Sequence, residues 1–528
     1  MTTRNSVYPM TCAAFVLAAS LALFATPIQA QDLSTERPTL PAKPVLLDWR
    51  KVPWPPLSYE RVPLGGGAGL YVVRSDETLK FRMTLIFAHG VYSLEQKQRP
   101  TLGAFVDLLV EGGTKDRSFE ALQQLTQENG LSLRTQVSGT GAVVVTLEGL
   151  SKDYDMGLTI LRDVLLAPAF RPSAFETWQR NKTAEFQGLM DAKSIGDQMR
   201  LIEPFVVRQL FGPNHYFATF LERSRPTTLA QIKLDEVRAL QSQILNKRGL
   251  LAMLAGRLTP KQIKAAGQLI ERLPQGKAGS GLVRWLPDRG LLPPSEKATI
   301  TVLQKPDMPQ STMLGRVHMR DVGTLNPLEE TALAIARDVF SSSAGVVGED
   351  RFSAALRKRS GLSYSAHAAF DANTTAPNTG TATWNMVFQT PEDRTAEGIN
   401  LAWQTWQEFR TKGIQQDEFE RSRIVLMNQM LSSENPILQK AAQMLQQLAV
   451  DRVPSTTPDE STLARLEAMQ SAAEVNAVLQ RMTHPSRTRV TFAVIGGASE
   501  ATIKALRKLP FVEKVDVVAY DALKKDLL

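Results

Sequence analysis

Residues 352–364 read FSAALRKRSGLSY, and residues 119–133 read FEALQQLTQENGLSL. Each opens with helical apolar periodicity, breaks at a glycine and resumes as a strand, so that Gly130, Leu131 and Ser132 stand where Gly361, Leu362 and Ser363 stand in the other copy. A helix, glycine and strand unit met twice predicts a duplicated chain. The copies differ in chemistry. Arg357 falls near the end of one expected helix and Tyr364 at the start of the strand after it, whereas Leu133 holds the tyrosine's place in the first copy. A guanidinium and a phenol directed into one space are hydrogen-bond donors for a carbonyl or a developing oxyanion. The plainer alternatives stay open: Arg357 runs on into Lys358 and Arg359 and would then only be solvated, and Tyr364 would be a strand aromatic facing a core.

The order of elements recurs around these units. Gly65, Gly66 and Gly67, with no helix or P-loop lysine behind them, read as a tight turn into a strand at 70–73 whose expected hairpin partner is 83–88. A helix over 102–110, a helix from Phe119, strands over 131–137 and 142–147, and a helix capped by Ser151 follow. Ser173 and Glu176 form a capping box for a long helix, and a strand at 250–255 leads through Thr259 and Pro260 into a last helix. Beyond a glycine- and proline-rich stretch come strands at 299–303 and 312–318, helices at 327–340 and 352–359, strands at 364–370 and 382–389, and two long helices. The ends echo each other as well, AGRLTPKQIKAAGQLIERLP at 255–274 against IGGASEATIKALRKLP at 495–510. The expected fold is α+β: two homologous halves, 58–274 and 297–528, each an antiparallel-rich sheet with helices packed on one face. A hinge at 275–296 joins them into a clamshell with a ligand between.

At 528 residues, with 43% hydrophobic and 22% charged positions, the chain is a globular protein too long for one core. Behind Arg4, residues 12–24 form an apolar run too short to span a bilayer, and Ile28, Gln29 and Ala30 suit a signal peptidase. The expectation is a signal peptide over 1–30, cleaved near Ala30, and an exported soluble protein without a membrane anchor. Six prolines within 31–57 predict an extended arm lying over the first half. Cys12, the one cysteine, would leave with the signal, so no disulfide, thiolate ligand or cysteine nucleophile remains. Export without disulfides fits a bacterial periplasm. A net charge of +8 without an arginine-rich tract gives no nucleic-acid signature. No G-x-S-x-G elbow appears, and the run Ser341, Ser342, Ser343 reads as a loop, which argues against an independent serine hydrolase. The five histidines, His89, His215, His318, His367 and His484, lack ligand-spaced partners and read as structural or surface residues.

In this order and spacing, GVYSLE with Gly90 and Glu95, the helix TLGAFVDLLVEGGT at 101–114, LFGPNHYF at 210–217, LRKRSGLSYS at 356–365 and VIGG at 494–497 resemble the pitrilysin/insulinase peptidase family. The resemblance covers nearly the whole mature length. Catalytic members carry H-x-x-E-H on that helix, two imidazoles and a distant glutamate holding zinc. The matching positions here are Ala104, Asp107 and Leu108, with Glu185 as the remnant of the distant ligand. Both imidazoles are missing, so no metal and no cofactor is expected in this chain. Arg357 and Tyr364 match the family's substrate-binding arginine and carbonyl-polarising tyrosine. The resemblance therefore implies a periplasmic subunit, inactive alone, that pairs with a homologous H-x-x-E-H subunit carrying zinc and donates Arg357 and Tyr364 to a shared peptide-cleaving chamber. A catalytically inactive peptide-binding or scaffold protein of the same fold is the alternative.

Overall fold

The computed structural model describes residues 48–51, 57–65, 68–88, 90–138, 141–276, 292–320, 325–341, 350–372, 382–432, 437–449 and 458–528. The expected signal peptide, most of the arm and most of the hinge lie outside the described residues, as do Gly66, Gly67, His89, Ser342 and Ser343.

Short aliphatic and β-branched runs build two six-stranded sheets. The first contains β1 (Glu60–Pro63), β2 (Gly69–Arg74), β3 (Lys80–Phe87), β4 (Ser132–Val137), β5 (Val143–Leu150) and β6 (Leu250–Gly256), in the order β1-β2-β6-β3-β5-β4. The second contains β7 (Ser295–Gln304), β8 (Gln310–Met319), β9 (His367–Ala372), β10 (Ala382–Pro391), β11 (Thr488–Gly496) and β12 (Val512–Ala519), in the order β12-β7-β11-β8-β10-β9. Without the edge strands β1 and β12 the two orders are the same. Duplication is thus written into the topology. Most pairs are antiparallel, but β2 runs parallel to β6, and β7 to β11 and β12.

Several local expectations are corrected. β2 and β3 are not hairpin partners, because the wholly buried β6 lies between them; the glycine turn joins β1 to β2 instead. An apolar strand arriving late in the sequence takes the central place, where both its faces are covered. Ser151 does not cap a helix: residues 151–153 form a 3-10 turn, and the helix starts at Tyr154. Ser173 likewise lies inside the first turn of a helix that begins at Pro172, whose fixed φ suits that position. The described part of the arm does not lie over the first half. Trp49 enters the second half's core, and Arg50 pairs with Glu467 at 2.5 Å.

Helices α1 (Arg99–Glu111), α2 (Phe119–Glu128) and α3 (Tyr154–Leu166) cover one face of the first sheet. α4 (Pro172–Leu189) lies against α1. In the second half, helices Pro327–Phe340 and Thr395–Lys412 enclose Trp384 and Phe388 in the same way. Each half also sends a helix to the other. α5 (Ile195–Phe211) crosses to the free face of the second sheet, where Leu201, Ile202, Val206 and Leu210 bury Leu303, Leu314, Ala493 and Ile495. Helix Ile437–Ala449 returns to the first sheet, placing Ala441, Met444 and Leu445 on Val73, Leu251 and Met253. The exchange gives each sheet apolar cover on both faces, and it locks the halves together.

Gly90 has a steric role. A Cβ there would lie 1.8 Å from the Gly141 carbonyl oxygen, the same oxygen that accepts from the Val91 amide at 2.8 Å. The close approach ties the end of β3 to the turn before β5 just ahead of α1.

Candidate functional site

The first candidate group sits on the loop between the helix beginning at Arg351 and β9. Asp350 caps that helix by accepting from the Ser353 amide at 2.8 Å. From Ala354 to Arg359 the helix widens into a π turn, a form met mostly as single turns at functional sites. Gly361, at φ +60°, ends it, as Gly130 at φ +58° ends α2. In the first copy the strand resumes at Ser132, directly after Leu131. In the second copy β9 starts only at His367, so Tyr364 is not a strand residue, contrary to expectation. The cause is Ser363. Its Oγ accepts from the Gln389 amide at 3.2 Å, a bond that a neighbouring strand would otherwise make, so the loop leaves the sheet there.

The loop is nonetheless fixed. Leu362, Ser363 and Ala366 are buried, the Ser363 amide donates to the Leu356 carbonyl at 2.9 Å, and Ser353 Oγ donates to the Ala366 carbonyl at 3.1 Å. Tyr364 stands out of this frame at 85% exposure. The Arg357 guanidinium carbon lies 4.8 Å from its ring centroid, a cation-π contact that brings the two together. Behind them a polar chain reaches the first half. Gln389 Nε2 donates to Thr312 Oγ1 at 2.9 Å, Thr312 Oγ1 donates to Gln198 Oε1 on α5, and Gln198 Nε2 donates to the Ala192 carbonyl.

The second group lies between α1 and α4. Ala104 and Leu108 are wholly buried in the first half's core. Asp107 Oδ2 accepts from Trp178 Nε1 at 2.8 Å and pairs with Lys182 Nζ at 3.2 Å. Lys182 also meets Glu185 Oε2 at 3.3 Å, and Arg200 of α5 meets Glu185 Oε1 at 2.9 Å. Burial works against the Lys182 ammonium, but Asp107 and Glu185 outweigh it and raise its pKa above the ordinary lysine value. Burial likewise opposes the Glu185 carboxylate, and Lys182 and Arg200 hold its pKa below the usual range. These residues border a cavity of about 160 Å³ that Phe186, Leu189 and Phe220 also line.

The zinc of catalytic relatives does not fit here. Ala104 and Leu108 offer no lone pair, and both carboxylates already face ammonium or guanidinium groups. Among the described residues no group of three or more His, Cys, Asp or Glu could hold a metal ion. Lys182, Arg200 and Trp178 were not marked by sequence reasoning as parts of this site. The i, i+4 and i, i+3 spacing of Trp178, Lys182 and Glu185 along one helix face was the available signal.

The fold brings His215 and His318 to one aromatic cluster, with Phe211 ring centroids at 4.7 and 5.0 Å. Burial, aided by nearby arginines, pushes His215 down to about 4 and His318 to about 3, so both are neutral core rings at physiological pH. His367 lies near Asp350, and His484 Nδ1 meets Ser486 Oγ at 2.8 Å.

Residues 231–426, which include the whole Arg357 and Tyr364 loop, match the family model described as the peptidase M16 inactive domain. The structure resembles a peptidase M16 inactive domain from Pseudomonas fluorescens with a TM-score of 0.68 at 16% identity, over 83% of this chain and 98% of that one. The chain is a pitrilysin-type M16 homologue of the inactive kind. A protease from Helicobacter pylori resembles the M16 homologue with a TM-score of 0.65 at 11% identity, over 83% of this chain and 99% of that one. The periplasmic protease PqqL from Escherichia coli gives 0.66 at 13% identity over 90% of this chain but 49% of its own length. The M16 homologue thus spans about half of PqqL. No curated protein matches it in sequence. Among the described residues no helix is long and apolar enough to cross a membrane.

Proposed function

We propose that this M16 homologue is the non-metal-binding subunit of a periplasmic zinc peptidase, built from halves 58–274 and 297–528, in which Arg357 and Tyr364 act on a peptide bound in a chamber shared with a zinc-bearing homologue. The observation that carries the reading is the exposed Tyr364 phenol beside the Arg357 guanidinium on an otherwise buried, hydrogen-bonded loop. An exposed aromatic on a fixed frame is suited to meet a ligand. The partner supplies the metal, the water and the general base; Tyr364 donates to the scissile carbonyl oxygen, and Arg357 positions the backbone. Unfolded peptides or small protein segments are the substrate class. PqqL, at about twice the matched length, supports a second, homologous half as the missing complement.

Affinity isolation from periplasm, followed by peptidase assays of the chain alone and of the complex, tests this. The expected result is co-purification of an H-x-x-E-H homologue, with cleavage by the complex and none by the chain alone. Recovery of the chain with no such homologue, or cleavage that this chain does not alter, would overturn it.

A further inference from the structure

We propose that the Lys182 ammonium is the resident cation of the degenerate centre, bridging Asp107 and Glu185 as a divalent ion would, fastening α1 to α4 and closing the carboxylate pair to metals. One nitrogen lies 3.2 Å from Asp107 Oδ2 and 3.3 Å from Glu185 Oε2, so both carboxylates converge on a single positive centre. The centre is mostly withdrawn from water. The Lys182 side chain is 23% exposed and that of Asp107 17%, and Trp178 donates to the same Asp107 oxygen. Desolvated carboxylates need a counter-charge or they destabilise the fold. Lys182 and Arg200 together balance Asp107 and Glu185, so a divalent ion would enter a site that is already neutral and leave it with an excess of positive charge. Without the Lys182 amine, two carboxylates face one gap beside a cavity of about 160 Å³, a setting for a hard divalent cation with water completing its shell.

The inference rests on this group alone, so its failure leaves the reading of Arg357 and Tyr364 untouched. Thermal unfolding of the purified full chain, in chelator and in millimolar Mn²⁺, tests it. The wild type and Lys182→Arg should melt at the same temperature in both. Lys182→Met should melt lower in chelator and regain roughly 2–4 °C with Mn²⁺. Adding Asp107→Asn and Glu185→Gln to Lys182→Met should abolish the response. Should Lys182→Met not fold, Lys182→Gln, which keeps a donor for both carboxylates, serves in its place. A wild type stabilised by Mn²⁺ as much as the lysine variant, or a lysine variant with neither the loss nor the response, would overturn the proposal.

Discussion

Arg357→Ala combined with Tyr364→Phe lowers kcat/KM for peptide cleavage by the mixed complex on the order of 10²–10³-fold and leaves folding nearly unchanged. The size follows from the chemistry. A donor aimed at a developing oxyanion is stronger in the transition state than in the ground state, so losing the phenol hydroxyl falls mainly on kcat. Losing the guanidinium also weakens ground-state binding and adds to KM. Stability is spared because Tyr364 is exposed, while Leu362, Ser363 and Ala366 anchor the loop. Only the cation-π contact is lost, about 0.5–1 kcal/mol at an exposed site. Steady-state kinetics and thermal melts of the same preparations check both halves of the expectation. Unchanged cleavage with normal folding would favour a peptide-binding or scaffold role.

Trp384→Ala should be the most destabilising of the core truncations in the second half, by about 3–5 kcal/mol. Trp384 is fully buried on β10 and touches four aromatic rings: Phe370 at 4.7 Å, Phe340 at 5.2 Å, Phe409 at 5.4 Å and Trp406 at 5.5 Å between centroids. Alanine would leave a cavity among rigid rings that cannot close it. Trp384→Phe should cost far less, because the indole Nε1 is buried without an acceptor among the described residues and its removal forfeits no hydrogen bond. The shift in the denaturant midpoint reads the difference. Equal losses from both variants would mean that this cluster does not carry the second core.

The repeat was legible because each copy restarts after a left-handed glycine, Gly130 or Gly361, and that conformation leaves a mark in composition. The helix over 327–340 was legible for a similar reason: Asn326, Pro327 and Glu329 make a complete start signal. What the sequence concealed were long-range choices. Nothing local to β6 says that it inserts between β2 and β3, and nothing within α5 says that its apolar face serves the other half's sheet. The place of Tyr364 was misread by one element, because the competing bond from the Gln389 amide to Ser363 spans the chain and has no local signature. At the degenerate centre the missing imidazoles were plain from Ala104 and Leu108. The cation that faces Asp107 and Glu185 was not, since Lys182 looks like any lysine on an exposed helix face until α1 packs against it.

The claim on which the rest depends is that this chain keeps donors for a peptide backbone while holding no catalytic ion of its own. The direct measurement is the zinc content of the purified lone chain, by elemental analysis after dialysis against zinc and removal of the unbound metal. The expected result is far less than one zinc per chain, with no chelator-sensitive peptidase activity; zinc at unit stoichiometry with such activity would contradict it.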